Sequence, residues 1–404
     1  MKSKSLDRII AMTLFAALAV SVRLTAQEQQ GQARYNSRGA MCTNDLEMLY
    51  GFPQTLLLNS SVTATINPAT GGFSSQSIGP VPVLASGGIV AVNAQFLYVS
   101  NSFINGLPQN GSQILAYGIN QANGTLTEIV GSPFSFPPHA SIQGLATAPN
   151  GSLLYAADAN GSIDAFSVNS ATGVIAAIPG SPFTSGKNFQ LAVDPSGKFL
   201  YASDDDSPGR ILAFTIDPSG ALTPVPGSPF AIPSPSTVPN GEPYGIVDTG
   251  SFVYAALSAA DKIAAFSIDS ETGALTPVPG SPFSAGDGPT VLTLTNNFLY
   301  AVNWTDGNIS GYSIDPSSGA LTPVPGSPFG SDSATLTADP SGKYLYVSRL
   351  DGIQGYNINS TNGALTLGSA NLDNDGSFWM TTVQLPSAAG AHESFTVSRV
   401  ESEN

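Results

Sequence analysis

The stretch Phe189–Phe230 reads FQLAVDPSGKFLYASDDDSPGRILAFTIDPSGALTPVPGSPF, and its internal punctuation decides the fold. Short alternating runs rich in β-branched and aromatic residues (FQLAV, KFLYAS, RILAFTI, ALTPV) are separated by Asp-Pro-Ser-Gly and similar turns. Asp-Pro-Ser-Gly places Pro at the second and Gly at the fourth position of a type I turn, and Asp at the first can bond its own backbone. The runs between have the alternation of half-buried strands. The stretch therefore predicts four antiparallel strands in about 42 residues.

The same unit recurs along the chain. Its second strand returns as FLYVSN (Phe96–Asn101), LLYAAD (Leu153–Asp158), FLYASD (Phe199–Asp204), FVYAAL (Phe252–Leu257), FLYAVN (Phe298–Asn303) and YLYVSR (Tyr344–Arg349). The Tyr-to-Tyr spacings are 57, 46, 53, 46 and 46 residues. GSPF returns at Gly131, Gly180, Gly227, Gly280 and Gly326, where it reads as a connector between units. Four strands at a period near 46 match a β-propeller blade. The ends complete the count. SFTVSRV (Ser394–Val400) aligns with YLYVSRL as a seventh second strand, preceded by a first strand near Met380–Leu385. SVTATINPATGGFSSQSIGPVP (Ser61–Pro82) aligns with KIAAFSIDSETGALTPVPGSPF (Lys262–Phe283), which is strands three and four alone. The expectation is an all-β, seven-bladed propeller closed by a two-plus-two clasp of N- and C-terminal strands. It occupies residues 59–404, with residues 27–58 as a poorly ordered lead-in.

Composition agrees. Only 10% of the 404 residues are charged, against about 25% in an average domain. Gly (42) and Pro (31) are abundant, which excludes helical bundles and coiled coils, and 42% apolar residues exclude disorder. The net charge is −15, and four of the 13 basic residues (Lys2, Lys4, Arg8, Arg23) lie in the first 26. Without that segment 9 basic and 27 acidic residues remain, too few cations to neutralise a phosphate backbone or dock on an anionic bilayer. Nucleic acid is excluded as a partner on this ground. Residues 1–26 read as a secretory signal: a basic start, the uncharged run Ile9–Val22, then Leu24-Thr25-Ala26 as the cleavage site. The run is shorter than the roughly 20 residues of a membrane span, so the mature chain is expected to be exported without a span. Cys42, the sole cysteine, cannot form an intramolecular disulfide.

YVSN (Tyr98–Asn101), YAVN (Tyr300–Asn303) and the DPSGK-[FY]-LY repeat resemble those of YVTN-repeat and lactonase-type seven-bladed propellers, including 6-phosphogluconolactonase-like proteins. The resemblance spans roughly residues 59–400 and implies a site at the mouth of the central channel using His, Glu and Arg. The positions of the family His are here Gly144, Gln190, Gly245 and Thr335, and neither His139 nor His392 matches it.

Reading the last residue of each second strand as a ring around one channel mouth gives Asn101, Asp158, Asp204, Leu257, Asn303, Arg349 and Arg399. Such a ring could orient a polar ligand, the two arginines contacting a carboxylate or phosphate; its rival is a set of local ion pairs that close loops. Trp304 offers an aromatic wall or loop packing. Asp204, Asp205 and Asp206 form an oxygen-rich run without the spacing of a calcium loop, and read equally as a solvated loop. His139, in a Pro-rich connection, could serve as a base or lie on the surface. No nucleophile elbow, phosphate loop, zinc spacing or dinucleotide fingerprint occurs, and no cofactor is expected. The reading is a monomeric binding or scaffolding module for a small polar ligand or a protein partner. The alternative is a lactone hydrolase in which Arg349 or Arg399 polarises the carbonyl and His139 acts as base.

Overall fold

The computed structural model describes residues 46–385 apart from short segments: 54–59, 81–82, 93, 105–106, 136–141, 159–160, 185, 187, 206–208, 234–242, 331–332, 350–351 and 374–377. Seven antiparallel sheets stand around a central axis. Their inner strands are Val83–Val92, Ile142–Thr147, Asn188–Val193, Pro243–Asp248, Pro289–Thr295, Ser333–Ala338 and Phe378–Leu385, in blades 1 to 7. Each inner strand contacts the next, and that of blade 7 contacts that of blade 1, so the ring closes. The chain is a seven-bladed β-propeller.

The second strand of every blade is its structural centre. Tyr98, Tyr155, Tyr201, Tyr254, Tyr300 and Tyr346 are fully buried, and so is a seventh, Tyr50. Each hydroxyl donates to the carbonyl of a turn glycine in the following blade: Tyr98 to Gly173 (2.6 Å), Tyr155 to Gly220 (3.0 Å), Tyr201 to Gly273 (3.2 Å), Tyr254 to Gly319 (3.0 Å), Tyr300 to Gly363 (2.6 Å), Tyr346 to Gly71 (2.8 Å) and Tyr50 to Gly124 (2.7 Å). A buried phenol needs a partner, and here the partner always lies across the blade boundary. The turn glycines have positive φ, and a Cβ on Gly319 would strike the ring of Phe252, two residues before Tyr254. The repeated aromatic-Leu-Tyr triplet thus fastens one blade to the next.

Tyr50 corrects the expected clasp. From outside to inside, blade 7 runs Phe73–Pro80, Ser60–Ile66, Leu46–Pro53, Phe378–Leu385. Three strands come from the N-terminal side and one from the C-terminal side, not two from each. Met48-Leu49-Tyr50 supplies the buried pattern that SFTVSRV was expected to supply, and it pairs in register with Thr381–Val383. Residues 394–400 lie outside the described residues. Leu46–Pro53 also falls within the stretch taken as lead-in. The signal segment and Cys42 lie outside the described residues as well.

The GSPF segments do more than connect blades. Ser132, Ser181, Ser228, Ser281 and Ser327 each accept, through Oγ, the amide of Ala116, Ala165, Ala213, Ala265 or Gly311 in the third strand. The following Phe returns to pair with that strand, as Phe134 does with Ile114 and Phe230 with Ile211.

Candidate functional site at the channel mouth

Strand direction divides the ring into two ends. Second strands end, and inner strands begin, at the end where a ligand ring was expected. In blades 1 to 6 the inner strand carries a register shift close to this start, as between Pro289 and Leu292 or Ser333 and Thr335. A bulge there adds twist and turns the inner strand at the mouth.

The structure places most of the expected ring inside the blades. Asp158 is 2% exposed and pairs in register with Ser162 and Ile142. Asp204 is fully buried, and its Oδ2 accepts from Arg210 Nε (3.0 Å) and Nη2 (2.5 Å). Gly186 lies so close to this carboxylate that a Cβ there would overlap it. Leu257 is buried as the apolar member. Asn303 is fully buried and donates through Nδ2 to Asn308 Oδ1 (2.7 Å) and Ser310 Oγ (2.8 Å). Arg349 is half-buried, opposite Ser333 and Gly352, and its charge opposes the burial that pushes the Tyr356 phenol up. Asn101 pairs with Ala85 and Gln113, but its strand runs on to Ile104. The seventh ring position in the sheet is Pro53, at the end of Leu46–Pro53, and not Arg399. Arg399, His139 and Asp206 lie outside the described residues.

Trp304 is the exposed feature of this mouth, with 39% of its surface free. Its loop is tied to the neighbouring blade. Trp304 N donates to Gly288 O (2.8 Å), Gly288 N to Asp261 Oδ1 (2.9 Å) and Asp287 N to Asp306 Oδ2 (2.9 Å). An indole on a loop braced by backbone bonds can stack on the apolar face of a sugar ring, and the same loop carries the exposed Asp306 two residues on. Asp205 is half-buried near Tyr244, whose phenol is pushed up by burial first and by the Asp205 charge second. Among the described residues no three His, Cys, Asp or Glu side chains gather as a metal site.

Arg210 and Asp306 escaped the sequence reading. Arg210 opens the third strand, so the hairpin register alone places it opposite Asp204. Asp306 lies two residues beyond Trp304 on the same loop, with no repeat position to mark it.

Comparison with known proteins places these features in context. Residues 245–330, most of blade 4 and all of blade 5, match the family model "Lactonase, 7-bladed beta-propeller". No curated protein sequence matches the chain significantly. Among solved structures, a periplasmic gluconolactonase of Pseudomonas aeruginosa superposes with a TM-score of 0.67 at 17% identity, covering 84% of this chain and 100% of that one. A protein of Bacteroides fragilis provisionally assigned as a 6-phosphogluconolactonase gives 0.69 at 20% identity, covering 86% and 100%. One from Bacteroides uniformis, assigned in the same way, gives 0.67 at 21% identity, covering 84% and 100%. In fold, the chain is a seven-bladed β-propeller, similar over residues 245–330 to the lactonase family of such propellers.

Proposed function

We propose that the chain is an exported propeller that binds a sugar lactone or the corresponding sugar acid at the mouth where the second strands end. One observation carries the reading. The segment matching the lactonase family, residues 245–330, contains the mouth loop that carries the exposed Trp304, braced by bonds from Trp304 N to Gly288 O and from Asp287 N to Asp306 Oδ2. An exposed indole on a loop that also carries an exposed carboxylate suits a polyhydroxylated ring. Export is supported by the basic-then-apolar first 26 residues and by a similar fold in a periplasmic gluconolactonase. The mature chain then starts at Gln27, and mass spectrometry of the secreted protein tests this.

Binding without turnover is preferred to hydrolysis, because Asp158 is buried and Asp204 is held by Arg210, so neither carboxylate is free to activate water. Hydrolysis is the second reading, favoured by the gluconolactonase fold and by Arg349 at the mouth, which could polarise a lactone carbonyl. The test is glucono-δ-lactone, with and without a 6-phosphate, followed by pH-stat titration and by binding of gluconate. Binding that Trp304→Ala weakens about tenfold, with turnover at the buffer rate, supports the binding reading. Turnover abolished by Arg349→Ala in a folded ring establishes hydrolysis instead. Neither binding nor turnover overturns both.

A further inference from the structure

The opposite end of the ring, where inner strands turn into second strands, holds a cleft of about 410 Å³ between blades 5, 6 and 7. It lies about 17 Å from the Trp304 mouth, the rise of the six-residue second strand Phe298–Asn303 at about 3.3–3.4 Å per residue. Its wall is rich in hydroxyls. The inner-strand residue paired with the buried Tyr is Thr293 in blade 5, Thr337 in blade 6 and Thr381 in blade 7. The equivalent residues in blades 1 to 4 are Val90, Ala146, Ala192 and Val247. Packing alone therefore accepts a Val or Ala here. Threonine occupies this position on three adjacent blades, and all three line the cleft.

A second observation points the same way. Thr295, 6% exposed, is one of the residues of the cleft wall, and its Oγ1 is buried with no hydrogen-bond partner among the described residues. Beside it, Gly342 lacks the Cβ that would lie 2.6 Å from that oxygen. A buried hydroxyl without a partner is costly. Among the described residues the wall contains no Lys or Arg, and the carboxylate there, Asp339, is engaged by Ser341, Lys343 N and Tyr344 N of its own turn.

We propose that this cleft is a second binding site, for a neutral polyhydroxylated molecule of monosaccharide size, held by Thr293, Thr295, Thr337 and Thr381. Hydroxyls both donate and accept, so they match a polyol. The volume lies at the small end of the range for ligand sites. Among the described residues an anionic sugar acid finds no cation here, and it meets a chain of net charge −15. The proposal is independent of the reading of the Trp304 mouth.

The test uses ligand-observed saturation-transfer NMR on the full mature chain, with D-glucose and myo-inositol as neutral probes. At least one is expected to bind at millimolar concentration. Thr293→Val with Thr337→Val keeps shape and β-propensity and is expected to weaken that binding about tenfold or more, the loss of two hydrogen bonds. All variants are read in the Trp304→Ala background, which removes sugar stacking at the mouth, and Leu367→Lys on the outer edge of blade 6 is expected to leave the response unchanged. If the double variant does not fold, Thr295→Val is read in the same assay. No response to either probe overturns the proposal. So does a response that survives the threonine substitutions in the Trp304→Ala background.

Discussion

Asp248 ends the inner strand of blade 4 at the same end of the ring as the threonine cleft. Its Oδ2 is buried without a partner among the described residues, and its Oδ1 accepts from Gly250 N. Burial first, and the Asp194 charge of blade 3 second, push this carboxyl up to about 7, against the lowering effect of Gly250 N. Below about pH 4 the acid is neutral in both folded and unfolded chains and adds no pH dependence. As pH rises from about 4 to 7 the unfolded chain releases this proton and the folded chain retains it, so stability falls. Asp248→Asn removes that slope. Its unfolding midpoint should match the wild type near pH 4 and lie about 1–3 °C higher at pH 8; parallel curves across the range would refute the assignment. Tyr254 makes a second prediction at this scale. Tyr254→Phe leaves the Gly319 carbonyl buried and unpaired, at a cost of about 1–2 kcal/mol by denaturant unfolding. Gly319→Ala should cost more, about 2–4 kcal/mol, because it combines a positive φ with a Cβ driven into Phe252. An equal or smaller loss would show that the aromatic does not fasten the blades.

The strands of blade 7 carry the test of closure. All four come from Leu46–Pro53, Ser60–Ile66, Phe73–Pro80 and Phe378–Leu385. A chain ending at residue 387 should therefore keep the wild-type unfolding midpoint. One starting at Ser60 loses the second strand of the blade, with Met48, Leu49 and the Tyr50 bond to Gly124, and should fail to give a cooperative transition. A two-plus-two clasp predicts the reverse sensitivity, so circular dichroism melts of the two truncations separate the topologies. Six of the seven second strands were legible because each repeats an aromatic or Leu, then Leu or Val, then Tyr and a small residue. The seventh was not. Met48-Leu49-Tyr50-Gly51-Phe52-Pro53 keeps Leu-Tyr but replaces the small and polar close of the repeat with Phe-Pro. SFTVSRV keeps that close and lacks the Tyr. Interblade packing depends on the Tyr, so the better-looking ending was the poorer guide.

Across the whole molecule, the periodic features were readable and the local ones were not. A repeat position tells where a backbone atom lies, which is why the blade count and the Tyr ring followed from spacing. It does not tell whether the side chain there is already satisfied by a neighbour. Asp204 is held by Arg210 and Asn303 by Asn308 and Ser310, pairings that belong to single blades and leave no periodic trace. The same contrast bears on self-association. Ring closure uses every inner edge, leaving only the outer strands to face solvent. In blades 1 to 5 these are three residues long, and in blades 3, 4 and 5 they read Leu-Thr-Pro, ending on a residue without an N–H to donate. The two long outer strands, Phe73–Pro80 and Leu365–Asp373, stand on adjacent blades and touch, with Ser369 Oγ donating to Thr70 O (3.1 Å). Leu367, 70% exposed on the second, is the apolar side chain best placed to seed pairing between copies. Short Pro-bearing edges and a net charge of −15 oppose such pairing. Sedimentation velocity of the mature chain should therefore show a monomer, and Leu367→Lys should leave the sedimentation coefficient unchanged. A dimer that Leu367→Lys dissolves would instead establish the long edge of blade 6 as a self-association surface.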